Sequence, residues 1–153
     1  MSVEALETVD KPDVSLDDKF VRKVFYVSLN SGKILLESGA ETYRIEDTML
    51  RMANNYGIGN VQVFVTTTVI ILSMNDYALS QTIRIEERAN NLEKVVNIND
   101  LSRQITKGLP IDEAIETIET IHETKMFPLW LVIIAGGIVA AMFLLLFNGT
   151  IVD

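Results

Sequence analysis

The sequence predicts an α+β cytoplasmic domain, made of a helix pair, a β-hairpin and two further helices, followed by one transmembrane α-helix. Three observations carry this. Apolar residues recur at helical spacing before residue 60 and again after Pro110, and the period falls to two between Val61 and Glu86. From Met126 to Phe147 no charged or strongly polar side chain occurs. A helix of about 20 apolar residues spans a hydrocarbon core of about 30 Å, so this run is predicted to cross the bilayer.

Residues 1–15, with Pro12 among acids and small residues, are expected to form a flexible acidic tail. The first helix should start at Ser15, where Ser15-Leu-Asp-Asp18 resembles a capping box. Phe20, Val24, Val27, Ser31 and Ile34 form one stripe along it and Val21, Phe25, Leu29 and Leu36 another, as in a central helix. At Ser38-Gly39-Ala40-Glu41, Gly39 can end this helix in a left-handed conformation while Ser38 and Glu41 fit the cap and third positions of the next. That second helix should turn Ile45, Met49, Met52, Ala53 and Tyr56 inward and stop at Gly57. Val61 to Met74 reads as one central strand, apolar on both faces over Val69 to Leu72. Thr82 to Glu86 reads as its antiparallel partner after a turn at Asn75-Asp76. A weak helix between Asn91 and Lys107 and a stronger one from Pro110, with Ile111, Ala114, Ile115, Ile118 and Ile121 as its stripe, complete a domain of residues 16–125. The transmembrane helix would occupy residues 126–147, bent near Pro128, and residues 148–153 would begin a loop to a missing membrane domain.

Composition narrows the function. The chain has 153 residues, 13 Lys+Arg against 21 Asp+Glu, a formal net charge of −8 and no cysteine. An acidic chain with no basic run lacks the field that attracts phosphate backbones, which argues against nucleic acid as a partner. Without cysteine there is no disulfide, thiol nucleophile or Cys-ligated zinc. No Gly-rich phosphate loop, nucleophile elbow or zinc-binding pair occurs, and the single histidine, His122, has no second His or Cys to complete a site. Neither an enzyme nor a cofactor nor a bound metal is expected. The acidic, non-basic N-terminus also lacks the features of a secretory signal, which predicts that the N-terminal domain stays on the cytoplasmic side of the cell membrane.

The densest polar constellation is Glu37, Glu41, Arg44, Glu46, Asp47 and Thr48. If one helix ran through it, Glu37, Glu41, Arg44 and Thr48 would share a face, two carboxylates flanking a guanidinium. Such a group could hold a zwitterionic solute, Arg44 gripping a carboxylate while an acid takes the ammonium, or it could be a solvated face with one ion pair. Thr66 and Thr68 interrupt the apolar strand, as substrate-facing hydroxyls or as threonines that simply suit a strand. In the last helix Gly136 and Ala140, and Gly137 and Ala141, are small residues four apart that let another helix approach closely, so an oligomer or partner helices are implied.

Four blocks, in order, resemble one family: Leu35-Leu-Glu-Ser-Gly-Ala-Glu-Thr-Tyr-Arg-Ile-Glu-Asp-Thr48, Val63-Phe-Val-Thr66 with Ile71-Leu-Ser73, Ile98-Asn-Asp-Leu-Ser-Arg103 before Pro110-Ile-Asp-Glu-Ala114, and Phe147-Asn-Gly149 to Asp153. They are similar to the N-terminal part of the threonine/serine exporter family, over about residues 18–153. Where that pattern would have a Thr-Pro-Thr-Gly stretch, this chain has Thr66-Thr67-Thr68-Val69. The resemblance implies a cytoplasmic domain preceding several membrane helices, export of small amino acids or, in a two-subunit branch, of dicarboxylates such as succinate, and a polytopic membrane domain or second subunit as partner within the lipid bilayer. It further implies that Glu37, Glu41, Arg44, Glu46 and Asp47 face a partner or a cavity mouth, and that the chain is a truncated member, a fragment or one piece of a split transporter. A single-span adaptor or regulatory interaction protein without transport activity is the alternative.

Overall fold

A computed structural model of the chain describes residues 18–75, 78–123 and 129–146. Five helices and three strands follow in the order α1 (Asp18–Glu37), α2 (Thr42–Asn55), β1 (Val61–Val65), β2 (Val69–Met74), β3 (Leu79–Arg84), α3 (Leu92–Thr106), α4 (Ile111–Glu123) and α5 (Leu129–Leu146). The expected capping box at Ser15, the tail and residues 148–153 lie outside the described residues, as do Lys125 and Pro128.

Helix α1 is central because both of its apolar stripes find partners. Val21, Val24, Phe25, Val27, Ile34, Leu35 and Leu36 are all buried, and α1 packs against α2, α3, α4 and β2. Burial of each large side chain contributes about 1.5–3 kcal/mol, so this helix anchors the core. Gly32 lets α2 come close, since a Cβ there would run into Met49 Sδ.

The break after α1 falls where glycine allows it. Gly39 has φ +86°, and the amide of Ala40 donates to the Leu35 carbonyl (3.0 Å) while that of Gly39 donates to Leu36 (3.2 Å), a Schellman arrangement. The cap of α2 is Glu41, not Ser38, and the Glu41 side chain makes no capping hydrogen bond. The connection from β3 to α3 is fastened to this corner. Ala89 N donates to Glu37 O (2.8 Å), Asn91 N to Ser38 O (3.3 Å) and Arg88 Nε to Leu36 O (3.3 Å). Helix α2 buries Ile45, Met49, Met52 and Ala53 as its pattern requires, and ends at Gly57, φ +79°.

The expected hairpin is a three-stranded antiparallel sheet, order β1-β2-β3. The stretch read as one strand from Val61 to Met74 is two, because the chain reverses at Thr66 to Thr68. Thr66 N donates to Val69 O (2.9 Å), and the Thr66 hydroxyl accepts from Val69 N (3.0 Å), so a threonine side chain closes a turn that has no glycine or proline. Register aligns Val65 with Ile70 and Ile70 with Ile83, and Val63 with Leu72, on the face toward α1 and α2. The central position of Val69 to Leu72 is borne out in β2, where Ile70 and Leu72 are fully buried.

Helix α3 starts at Asn91, whose side chain accepts from Lys94 N (3.1 Å). Helix α4 follows Pro110, buries Ala114, Ile118 and Ile121, and carries Asp112 and Glu113 in its first turn, the favourable end of the helix dipole. Lys94 Nζ donates to the His122 carbonyl (2.9 Å) and Lys23 pairs with Asp112, tying α3 and α1 to α4.

The expected transmembrane helix is overturned: among the described residues no helix is long and apolar enough to cross a membrane. Helix α5 has 18 residues. At 1.5 Å per residue it reaches about 27 Å, short of a hydrocarbon core of about 30 Å. Residues 126–128 and 147, which the expectation needed, lie outside the described ones. What α5 does show is apolar surface on all sides, with Trp130, Ile133, Ile138 and Val139 exposed.

Candidate functional site

The chain break at Gly39 disperses the constellation expected on one helix face. Glu37 ends α1 and approaches Lys33 at 3.8 Å. Glu41 precedes α2, and its carboxylate accepts from the Tyr43 hydroxyl, a bond that raises the Tyr43 pKa above its ordinary value. Thr48 is buried, so it shares no solvent face with the others.

Glu46 points back under the helix. Its Oε1 accepts from Val65 N at 2.9 Å, satisfying an amide at the outer edge of β1 and pinning the sheet to α2. Thr66 acts within its turn, as described, and Thr68 is exposed beside it.

The remaining polar side of α2 faces α3 across a groove of about 460 Å³, lined by Arg44, Arg51, Asn99, Arg103, Thr106 and Lys107. Arg51 bridges its two walls, with Nε donating to the Ser102 hydroxyl (3.1 Å) and Nη1 meeting Asp47 at 3.3 Å. Arg103 pairs with Asp100. Arg44 is exposed, and its side chain makes no ion pair or hydrogen bond among the described residues. Of the residues expected to act together, the structure thus keeps Arg44 and Asp47 near one groove and sends Glu37, Glu46 and the threonines elsewhere. Sequence reasoning missed Arg51, Arg103 and Lys107. Their signal was present as cations seven apart on α2 (44, 51) and four apart on α3 (103, 107), but nothing local says that the two helices meet.

The small residues of α5 are exposed, and a Cβ added at Gly136 or Gly137 would meet nothing within 4 Å. Ala140 and Ala141 continue this open strip. His122 is exposed at the end of α4, in a shallow concavity with Tyr26, Asn30 and Glu119.

Comparison with known proteins gives these features a setting. A family model described as "ThrE: Putative threonine/serine exporter" matches residues 26–153, from the middle of α1 to the end of the chain. A protein of Mycobacterium tuberculosis named "Probable threonine/serine exporter" is 25% identical over 141 residues, 88% of this chain. The chain spans only 27% of the length of that relative. No solved structure matches it. By the extent of the family match, the chain belongs to the threonine/serine exporter family, a family of amino-acid transport for which a membrane setting is expected rather than catalysis.

Proposed function

We propose that the chain is the N-terminal part, or a subunit, of a membrane exporter of threonine and serine, with dicarboxylates such as succinate as the cargo of a two-subunit arrangement. The family match over residues 26–153 carries this reading, because it takes in most of the body formed by α1 to α4 and all of α5. Polar solutes cross a bilayer only where several helices enclose a shared cavity, so the chain acts with transmembrane helices from a polytopic membrane domain or second subunit, in an oligomer. The body lies on the cytoplasmic side of the cell membrane, as the family resemblance implies. The exposed strip of Gly136, Gly137, Ala140 and Ala141 offers a partner helix close approach.

Within this role the N-terminal turn of α2 receives the solute. Arg44, whose side chain makes no ion pair or hydrogen bond among the described residues, grips a carboxylate, and Glu41 or Asp47 takes the ammonium or a proton on the route to the membrane helices. In cells carrying the complete transporter, Arg44→Ala should lower efflux of threonine, serine or succinate by about tenfold, the effect of losing a charge-assisted contact of about 1.5 kcal/mol. Glu41→Gln should impair the amino acids more than succinate. Unchanged efflux at equal membrane abundance returns these residues to a solvated surface.

A further inference from the structure

The α2–α3 groove departs from the charge of the rest of the chain. Acids outnumber bases 21 to 13 overall, yet the groove lining holds four cations and no carboxylate. Two other concavities, one beside His122 and one beside Arg84, each include a glutamate. Arg51 and Arg103 are already matched by Asp47 and Asp100, whereas the side chains of Arg44 and Lys107 have no ion pair or hydrogen bond among the described residues. Two positive charges are therefore left over.

Helix dipoles explain one of them. Lys107 is the C-cap of α3, the end that favours a cation. Arg44 stands in the first turn of α2, the end that repels one; the acid at that end is the cap Glu41, whose carboxylate is engaged by the Tyr43 hydroxyl. The Arg103 and Lys107 pair adds a like-charge spacing of four, which destabilises a helix rather than supporting it. Arg51 is meanwhile held in place by the hydroxyl of fully buried Ser102, so one wall of the groove has an oriented guanidinium. An anion in the groove would relieve all of these costs together.

We propose that this groove is a binding site for a small dianion, a tetrahedral oxyanion or a short dicarboxylate, whose two charges answer Arg44 and Lys107. The planar forks of Arg51 and Arg103 and the Asn99 amide supply hydrogen bonds to its oxygens. Threonine, whose ammonium is answered by Glu41 or Asp47 and by no residue of this lining, fits the groove itself less well. The site shares Arg44, and a dicarboxylate as one candidate ligand, with the export reading, but it stands on charge and geometry and not on transport. Arg44 is common to both, so the test leaves Arg44 intact and reads binding without transport.

The full chain, kept in non-ionic detergent because α5 exposes apolar surface, would be titrated calorimetrically with sodium sulfate and with sodium malonate, against sodium chloride and threonine as comparators. Saturable binding of at least one dianion, stronger than that of chloride or threonine, is expected. Lys107→Glu should weaken it at least about tenfold, Arg103→Gln should weaken it less, and Lys107→Arg should preserve it. Both varied positions are exposed, and circular dichroism checks each fold. Should Lys107→Glu not fold, Arg103→Gln decides. Absence of saturable binding by either dianion, equal binding of threonine, or affinity unchanged in the folded variants overturns the proposal. Capture only by vesicles containing phosphatidylglycerol also overturns it, by assigning the groove to a membrane surface.

Discussion

Helices α1 and α5 are nearly equal in length, 20 and 18 residues, and both are rich in Leu, Ile and Val, but their surroundings are opposite. Helix α1 interrupts its apolar stripes with Asp18, Arg22, Lys23, Asn30 and Lys33, which mark the sides that face outward, and neighbours close over the rest. Helix α5 has no such marks. Every side of it is apolar, so no side is distinguished as the one to bury, and large side chains such as Trp130, Ile133, Ile138 and Met142 stay exposed. Polar residues on a helix are thus what tell an apolar helix where its core lies.

The contrast can be broken most strongly at equivalent apolar residues. Phe25→Ala in α1 removes a side chain that is 1% exposed and should cost about 3–5 kcal/mol, enough to unfold much of the body in a urea melt. Ile133→Ala in α5, at a residue 64% exposed, should move the same melt by no more than about 0.5 kcal/mol. A comparable loss at both positions would mean that α5 packs on the body after all.

A smaller effect is expected where a polar side chain joins two elements of the body. Glu46→Ala leaves Val65 N without its acceptor and should cost about 1–2 kcal/mol, while Glu46→Gln keeps an acceptor oxygen and should recover most of it. Amide exchange at Val65 is the sharper readout. It should accelerate in the alanine variant and not in the glutamine one.

The smallest effect concerns Tyr56, whose hydroxyl donates to Leu109 O (3.1 Å) and whose ring meets Phe20 edge-on at 6.3 Å. Burial pushes its pKa up to about 12 from 10.0. The folded state therefore holds the phenol proton more tightly than the unfolded chain does. The associated stability is complete below pH 10 and is lost as pH rises toward 12. Tyr56→Phe should cost about 1 kcal/mol near neutrality, and its stability should fall less steeply than that of the parent across this alkaline window. Urea midpoints at several pH values would show it.

How much of this was legible follows from how local each signal is. The stripes of α1, α2 and α4 and the stop at Gly39 are written within one or two turns of chain, and the structure keeps them. The turn at Thr66 to Thr68 was not legible, because three threonines read as strand by propensity and the closing hydrogen bond is made by a side chain rather than by glycine or proline. The constellation from Glu37 to Thr48 does not form a single face for a related reason: at Gly39, where the sequence allows a helix end, the chain turns so that α2 packs back on α1 instead of continuing it. The groove was beyond reach, since Arg44 and Lys107 are brought together only by the packing of α2 on α3.

The hydrogen bonds that fasten residues 88–91 to residues 36–38 give the molecule a frame and an excursion. Helices α1, α3 and α4 touch one another and form the frame, while the chain of α2 and the sheet leaves it and returns at one corner, with α2 packed on α1 and α3 and β2 on α1 along the way. Closing such a long excursion has a chain-entropy cost that grows only slowly with its length. Length can therefore be added at the turns of the excursion without reopening the frame, whereas its buried faces, Ile45, Met49 and Met52 of α2 and Ile70 and Leu72 of β2, stay tied to the core.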